Sequence, residues 1–177
     1  MNSSEQIDFS PVGIFCSYAH RDELLKNLLL THLSPMQREG LITTWHDAEI
    51  SAGEEWRDEI EHRLDTSEVI LLLISPDFFA STFCYGIEMQ RALARHDSGT
   101  AVVVPIILRP CDWQSFPIGR LQALPPQARP ITSWPNRDKA MEAVAKGLRS
   151  ALARRSGKDQ KRSASEINRN RNRSLSL

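Results

Sequence analysis

Short unbroken apolar runs alternate along this chain with stretches whose apolar residues recur every three or four positions. Val12-Gly13-Ile14-Phe15-Cys16, Val69 to Ile74 and Ala101 to Leu108 are too short for buried helices, and they read as strands covered on both faces. Leu41 to Trp45 reads as a further, β-branched strand. Between them, Leu24, Leu25, Leu28, Leu29 and Leu33 predict a helix capped by Asp22 and closed by Gly40, and Trp56, Ile60 and Leu64 begin the next. Phe83, Ile87 and Ala94 continue the pattern after Ser75-Pro76, with Ser81 as N-cap and Asp97-Ser98-Gly99 as the end. Cys84, Glu88, Arg91 and Arg95 lie along the neighbouring face of that helix, so Glu88 is a carboxylate at the border of an apolar stripe.

Pro105 interrupts the fourth run and hints at a strand end or an edge. Arg109 to Pro130 holds five prolines with Trp113 and Phe116, which suits an irregular, partly packed loop whose length points to function. Ile131-Thr132 reads as a short fifth strand, and Met141, Val144, Ala145 and Leu148 predict a closing helix over Asp138 to Ala153. Strand then helix, five times, predicts an α/β fold: a five-stranded parallel sheet with helices on both faces and ligands beyond the carboxyl ends of the strands. Those ends carry Ser17 to His20, His46 to Gly53, Ser75 to Ser81 and Arg109 to Phe116.

The length, 177 residues, fits one domain, here 11–153, between a loose start at 1–10 and a tail at 154–177. The tail is rich in Ser, Asn and Arg and poor in apolar residues, so disorder is expected there. From Ala153 onward it holds eight Lys/Arg against Asp159 and Glu166, a charge of +6 that leaves −6 on the rest of a formally neutral chain. A globular part of that sign makes nucleic acid a poor partner, because phosphate contacts need clustered cations. Cys16, Cys84 and Cys111 are odd in number and widely spaced, which argues against a disulfide framework or thiolate metal site and fits a reducing cytoplasm. No apolar run approaches the ~20 residues a membrane span requires.

The eight glycines never cluster, which removes phosphate-loop and dinucleotide fingerprints. His20, His32, His46, His62 and His96 lack metal spacing, and no G-x-S-x-G elbow accompanies them, so neither a metal nor a Ser/His enzyme is expected. Asp47 and Glu49 could pass for acid and base, but paired carboxylates in a loop before a helix are more often solvated. For Trp45 and Trp56 core packing is at least as good a reading as a site.

Resemblance adds what periodicity does not. GIFCSYAHRDE looks like the opening motif of the Toll/interleukin-1 receptor (TIR) domain family, and WHDAEISAGEEWRDEI looks like its second strand, BB loop and second helix. LLLISPDFFASTFCYGIEM resembles its third strand and helix, and VVPIIL with a tryptophan-bearing loop and then ITSWP completes the order of a flavodoxin-like fold from Val12 to about Leu152. Members of the family divide into signalling scaffolds and enzymes that cleave NAD+ at the nicotinamide–ribose bond with a single glutamate on the third helix. Glu88 matches that glutamate. The resemblance further implies a site lined by Ala19 and His20 from the first loop and by Asp47, Glu49 and Trp56 from or beside the BB loop. Trp113 would stack on the adenine across a protomer contact. Cys84 stands where family enzymes often carry tryptophan, leaving Phe79 or Tyr85 to supply the nicotinamide-facing wall and Phe83 to the core. On this reading NAD+ is a substrate and no cofactor is needed. The chain would be a prokaryotic NAD+ nucleosidase, linear or cyclic in its product, switched on by self-association through His46 to Gly53 as a defence or stress effector. The alternative is a non-catalytic TIR adaptor acting through TIR–TIR contacts alone.

Overall fold

The computed structural model describes residues 10–45 and 56–174, with side chains over 10–45 and 58–155. Four strands, β1 (Val12–Ser17), β2 (Ile42–Trp45), β3 (Val69–Ile74) and β4 (Val102–Ile107), form one parallel sheet in the order β2-β1-β3-β4. Between them run α1 (Glu23–Arg38), α2 (Trp56–Thr66), the short α3 (Pro76–Ala80) and α4 (Met89–Asp97), and α5 (Arg137–Ser174) closes the chain. This is the flavodoxin-like arrangement that the alternation predicts, with one strand fewer.

Side chains alternate across a strand, so the central β3 divides its residues between two cores. Val69, Leu71 and Leu73 face α1 and α5, while Ile70, Leu72 and Ile74 face α2, α4 and the loop after β4. Every residue of β3 is buried, which is why its sequence is an unbroken aliphatic run. On α1 the buried row is Leu25, Leu29, Leu33 and Met36, at four- and three-residue steps. Leu24, one residue off that row, is 84% exposed and does not share the face assigned to it. Gly40 closes the helix at φ +69°, a conformation that favours glycine, and the Leu41 N–H returns to the Met36 carbonyl at 3.0 Å.

The predicted fifth strand is absent. Ile131–Ser133 forms a 3-10 turn instead, and the outer edge of β4 is met by Leu124, whose N–H donates to Pro105 O and whose carbonyl accepts from Ile107 N, each at 2.8 Å. Prolines at 125, 126 and 130 remove the donors that a longer edge strand would need. Pro105 itself is accommodated because β4 is an edge. Asp22 occupies the N-cap position of α1, but its side chain makes no capping bond, because it is held by other partners.

The last helix also departs from expectation. It runs through the segment expected to be disordered, and Arg155 donates to Glu68 Oε1 at 2.7 Å, tying the helix to the loop before β3. The packed turns at Ala140, Met141, Val144 and Leu148 supply the nucleus. A proline-free continuation can then propagate without a second nucleation step. No described helix is long and apolar enough to cross a membrane.

Candidate active site

A cleft of about 320 Å³ opens at the carboxyl ends of β1 and β3, the place where ligands bind in open parallel sheets. One wall is the end of β1 and its following loop, with Cys16, Tyr18, Ala19, His20 and Arg21; the other is the segment after β3, with Asp77, Ser81, Phe83, Cys84 and Glu88. Phe15 and Ile60 close the bottom, and Phe15 is itself backed by Trp45, stacked at 5.6 Å between ring centroids.

Local sequence explains the second wall. Ser75 ends the strand and caps α3 by accepting from the Phe78 N–H at 3.1 Å, with Pro76 at the first helical position, where a missing N–H does no harm. Ser81 restarts the helix as predicted, accepting from the Cys84 N–H at 3.2 Å. The first full turn is then a π-helix, Cys84–Glu88, in which the Met89 N–H reaches back to the Cys84 carbonyl. Such one-turn π segments often sit at functional sites. Cys84 and Glu88, the first and last residues of this turn, both line the cleft.

Glu88 is 4% exposed and yet forms part of the cleft wall. Its carboxylate accepts from the Ser17 hydroxyl at the end of β1, a buried contact joining the two walls. The Cys84 thiol donates to the Tyr18 carbonyl at 3.4 Å, a second link of the same kind. Behind Tyr18, the fully buried Lys26 ammonium sits 4.6 Å from the ring centroid and 3.4 Å from the hydroxyl, a cation–π arrangement that fixes the ring.

A second polar cluster borders the cleft. Arg109 donates through Nε to Asp22 at 2.8 Å and through Nη2 to Asp77, while the Ser75 hydroxyl donates to the other Asp22 oxygen. The Arg109 hydrogen bond holds the Asp77 carboxyl below the ordinary aspartate range, against the opposing effect of desolvation, and the same bond raises Arg109. One guanidinium thus ties the ends of β1, β3 and β4 together.

Of the residues singled out in the sequence, Ala19, His20, Cys84 and Glu88 come together around this cleft. Phe79 and Tyr85 do not. They pack around Phe116, Phe79 stacked on it at 4.4 Å and Tyr85 edge-on at 5.6 Å, and Phe83 lines the cleft in their place. Trp113 is 8% exposed and belongs to the core under the α2 and α4 face, so it presents no ring for stacking at the surface. Trp56 begins α2, but its side chain lies outside the described residues, as do Asp47, Glu49 and the whole BB loop His46 to Gly53. Ser17 and Asp77 fall within the strand-end stretches read from the sequence but were not singled out there, and Arg21 was missed. Their signal was position, since each stands at or just past the carboxyl end of a strand. Among the described residues no group of three His, Cys, Asp or Glu could hold a metal ion.

Residues 14–144 match the sequence model of the TIR domain. The chain belongs to the TIR domain family. A TIR domain of the Toll-related receptor TRR-2 from Hydra magnipapillata, solved by crystallography, has the same fold at a TM-score of 0.50, with 22% identity over 63% of this chain and 81% of that one. The uncharacterized protein y4lF of Sinorhizobium fredii is 51% identical over 142 residues, which is 80% of this chain. This TIR chain spans 44% of that relative's length.

Proposed function

We propose that this TIR domain cleaves NAD+ at the nicotinamide–ribose bond, with Glu88 as the catalytic carboxylate. The observation that carries the proposal is a glutamate almost wholly withdrawn from bulk water that still forms a wall of the cleft at the strand ends. Nicotinamide leaves a cationic ring as a neutral molecule, so no general acid has to protonate it, unlike the leaving group of an ordinary glycoside. The ribose left behind becomes oxocarbenium-like. A carboxylate fixed in a low-dielectric wall beside it stabilises that developing charge more than it stabilises the neutral sugar of the bound substrate. The Ser17 hydroxyl orients the carboxylate, and Phe83 is the ring on the cleft wall suited to face the nicotinamide. Attack by water yields linear ADP-ribose, and attack by a ribose hydroxyl yields a cyclic product.

In this reading activity rises when copies associate through the segment His46 to Gly53, and the domain serves as a cytoplasmic defence or stress effector. The test is nicotinamide release from NAD+ by concentrated full-length protein, wild type against Glu88→Gln, with circular dichroism confirming that both are folded. Release by the wild type alone supports the proposal. The adaptor alternative draws on Cys84, which leaves the cleft without the tryptophan its enzymatic relatives often carry. That alternative gains if neither protein releases nicotinamide even when crowded into assemblies.

A further inference from the structure

An NAD-cleaving site must seat an adenosine diphosphate as well as a nicotinamide riboside, and a cleft of about 320 Å³ is near the lower end for small ligands of any kind. The ring expected to stack on adenine, Trp113, is buried in the core. A second groove, of about 450 Å³, adjoins the cleft on the side of α1 and shares Arg21 and Asp77 with it. The two hollows are therefore neighbours with the Arg21–Asp77 pair between them. That pair is weak: its charged atoms are 3.7 Å apart and the Arg21 side chain is 83% exposed, so the guanidinium can turn toward an anion at little expense.

The groove has the chemistry of a nucleotide seat. Arg109 and Arg137 stand in it with Arg21, three guanidinium groups against the carboxylates of Asp22 and Asp77, both of which already accept from Arg109. Guanidinium is the side chain suited to bidentate phosphate recognition. Leu24, at 84% exposure, is the most exposed large apolar side chain among the described residues, and it lies here beside the half-buried Leu28. A solvated leucine pair at the rim of an arginine groove offers an apolar surface for a base.

We propose that this groove seats the adenosine-diphosphate half of the dinucleotide, with the base against Leu24 and Leu28, the pyrophosphate at Arg21 and Arg137, and the reacting ribose at Glu88. The proposal deepens the NAD-cleaving reading and rests on it for the identity of the other half. Its test separates the two halves by calorimetric titration of ADP and of nicotinamide mononucleotide. The parent protein is the full chain carrying Glu88→Gln, so that neither probe is consumed. The comparison protein adds Leu24→Ser and Arg137→Ala, and Arg137→Glu alone serves as a second variant; both of these positions are exposed, and melting curves check each fold. The expected result is ADP binding that weakens tenfold or more in both groove variants, about 1.4 kcal/mol, with nicotinamide mononucleotide binding unchanged. Absence of ADP binding to the parent overturns the proposal, as does an ADP affinity the groove variants leave unmoved, or an equal loss for both probes. Groove-dependent ADP binding in a protein whose wild type releases no nicotinamide would keep the nucleotide seat and remove the cleavage reaction. Nicotinamide release with groove-independent ADP binding would do the reverse.

Discussion

Two carboxylates are buried at the carboxyl ends of the strands, and they differ in what surrounds them. Asp22 is 2% exposed and Glu88 is 4% exposed, and each accepts a hydrogen bond from a serine at a strand end, Ser75 for Asp22 and Ser17 for Glu88. Asp22 is also gripped by Arg109, which reaches on to Asp77 and so fastens three loops. Glu88 forms part of the wall of the cleft. Burial and a serine partner alone do not tell a structural carboxylate from a reactive one. Asp22 is held in the Arg109 clamp beside the second groove, whereas Glu88 lines the cleft in which the proposed reaction takes place.

The comparison predicts opposite responses to the same kind of change. Glu88→Gln keeps an acceptor for the Ser17 hydroxyl and nearly the same volume, so the fold should persist with little change in melting temperature. Nicotinamide release should fall about 100-fold or more, the size expected when one preorganised electrostatic group is lost from a site. A Glu88→Gln protein that kept full activity would remove Glu88 from the chemistry. Asp22→Asn should do the converse. Breaking a buried ion pair can cost roughly 3–5 kcal/mol, but Arg109 is partly exposed and retains Asp77, so a loss of about 2 kcal/mol in urea unfolding is expected. Any fall in turnover should then follow the fraction unfolded.

Ser17→Ala sharpens the comparison further. It deletes the hydroxyl that joins the two cleft walls while leaving the Glu88 carboxylate in place. The loss of one neutral donor to a charged acceptor should destabilise the fold by about 1–2 kcal/mol. Turnover at saturating NAD+ should fall more than apparent affinity does, because the carboxylate is then less well oriented toward the ribose. An unaltered kcat would make the contact purely structural.

Much of this arrangement was legible in the chain itself. The aliphatic run Val69 to Ile74 is too short for a buried helix and is bounded by Ser75-Pro76, so it reads as a strand covered on both faces, and the four-residue step of Leu25, Leu29 and Leu33 fixes the face of α1. Glu88 could be placed on a helix border by spacing, but its importance came from resemblance. What was not legible depended on rotation about the chain. Phe79, Phe83 and Tyr85 lie within seven residues, and the spacing after the Ser81 cap places Phe83 on the apolar stripe without telling which of the three rings meets the cleft. A break at Ser81 and a π-helical turn decide that Phe83 faces the cleft while the other two pack on Phe116. Ser17 meets Glu88 across 71 residues of sequence, a pairing no local pattern encodes. Leu24 sits beside an apolar row without belonging to it.

The smallest expected effect concerns the exposed end of the clamp. The Arg109 bond depresses the Asp77 carboxyl below its ordinary value, so Asp77 contributes stability that is fully present above the unfolded-state pKa of about 3.9. That contribution is lost as pH falls through the lower folded value. Wild type and Asp77→Asn should therefore differ in melting temperature by a constant, small amount from neutral pH down to the ordinary carboxylate range, and converge in more acidic buffer. Because Asp77 is partly exposed, added salt should shrink the difference at neutral pH. Glu88→Gln provides the control, since Glu88 stands outside the Arg109 clamp and its substitution should leave this salt response intact. If salt left the Asp77→Asn difference unchanged, the clamp would hold its loops by hydrogen-bond geometry alone, and the contrast between the two carboxylates would rest on cleft access only.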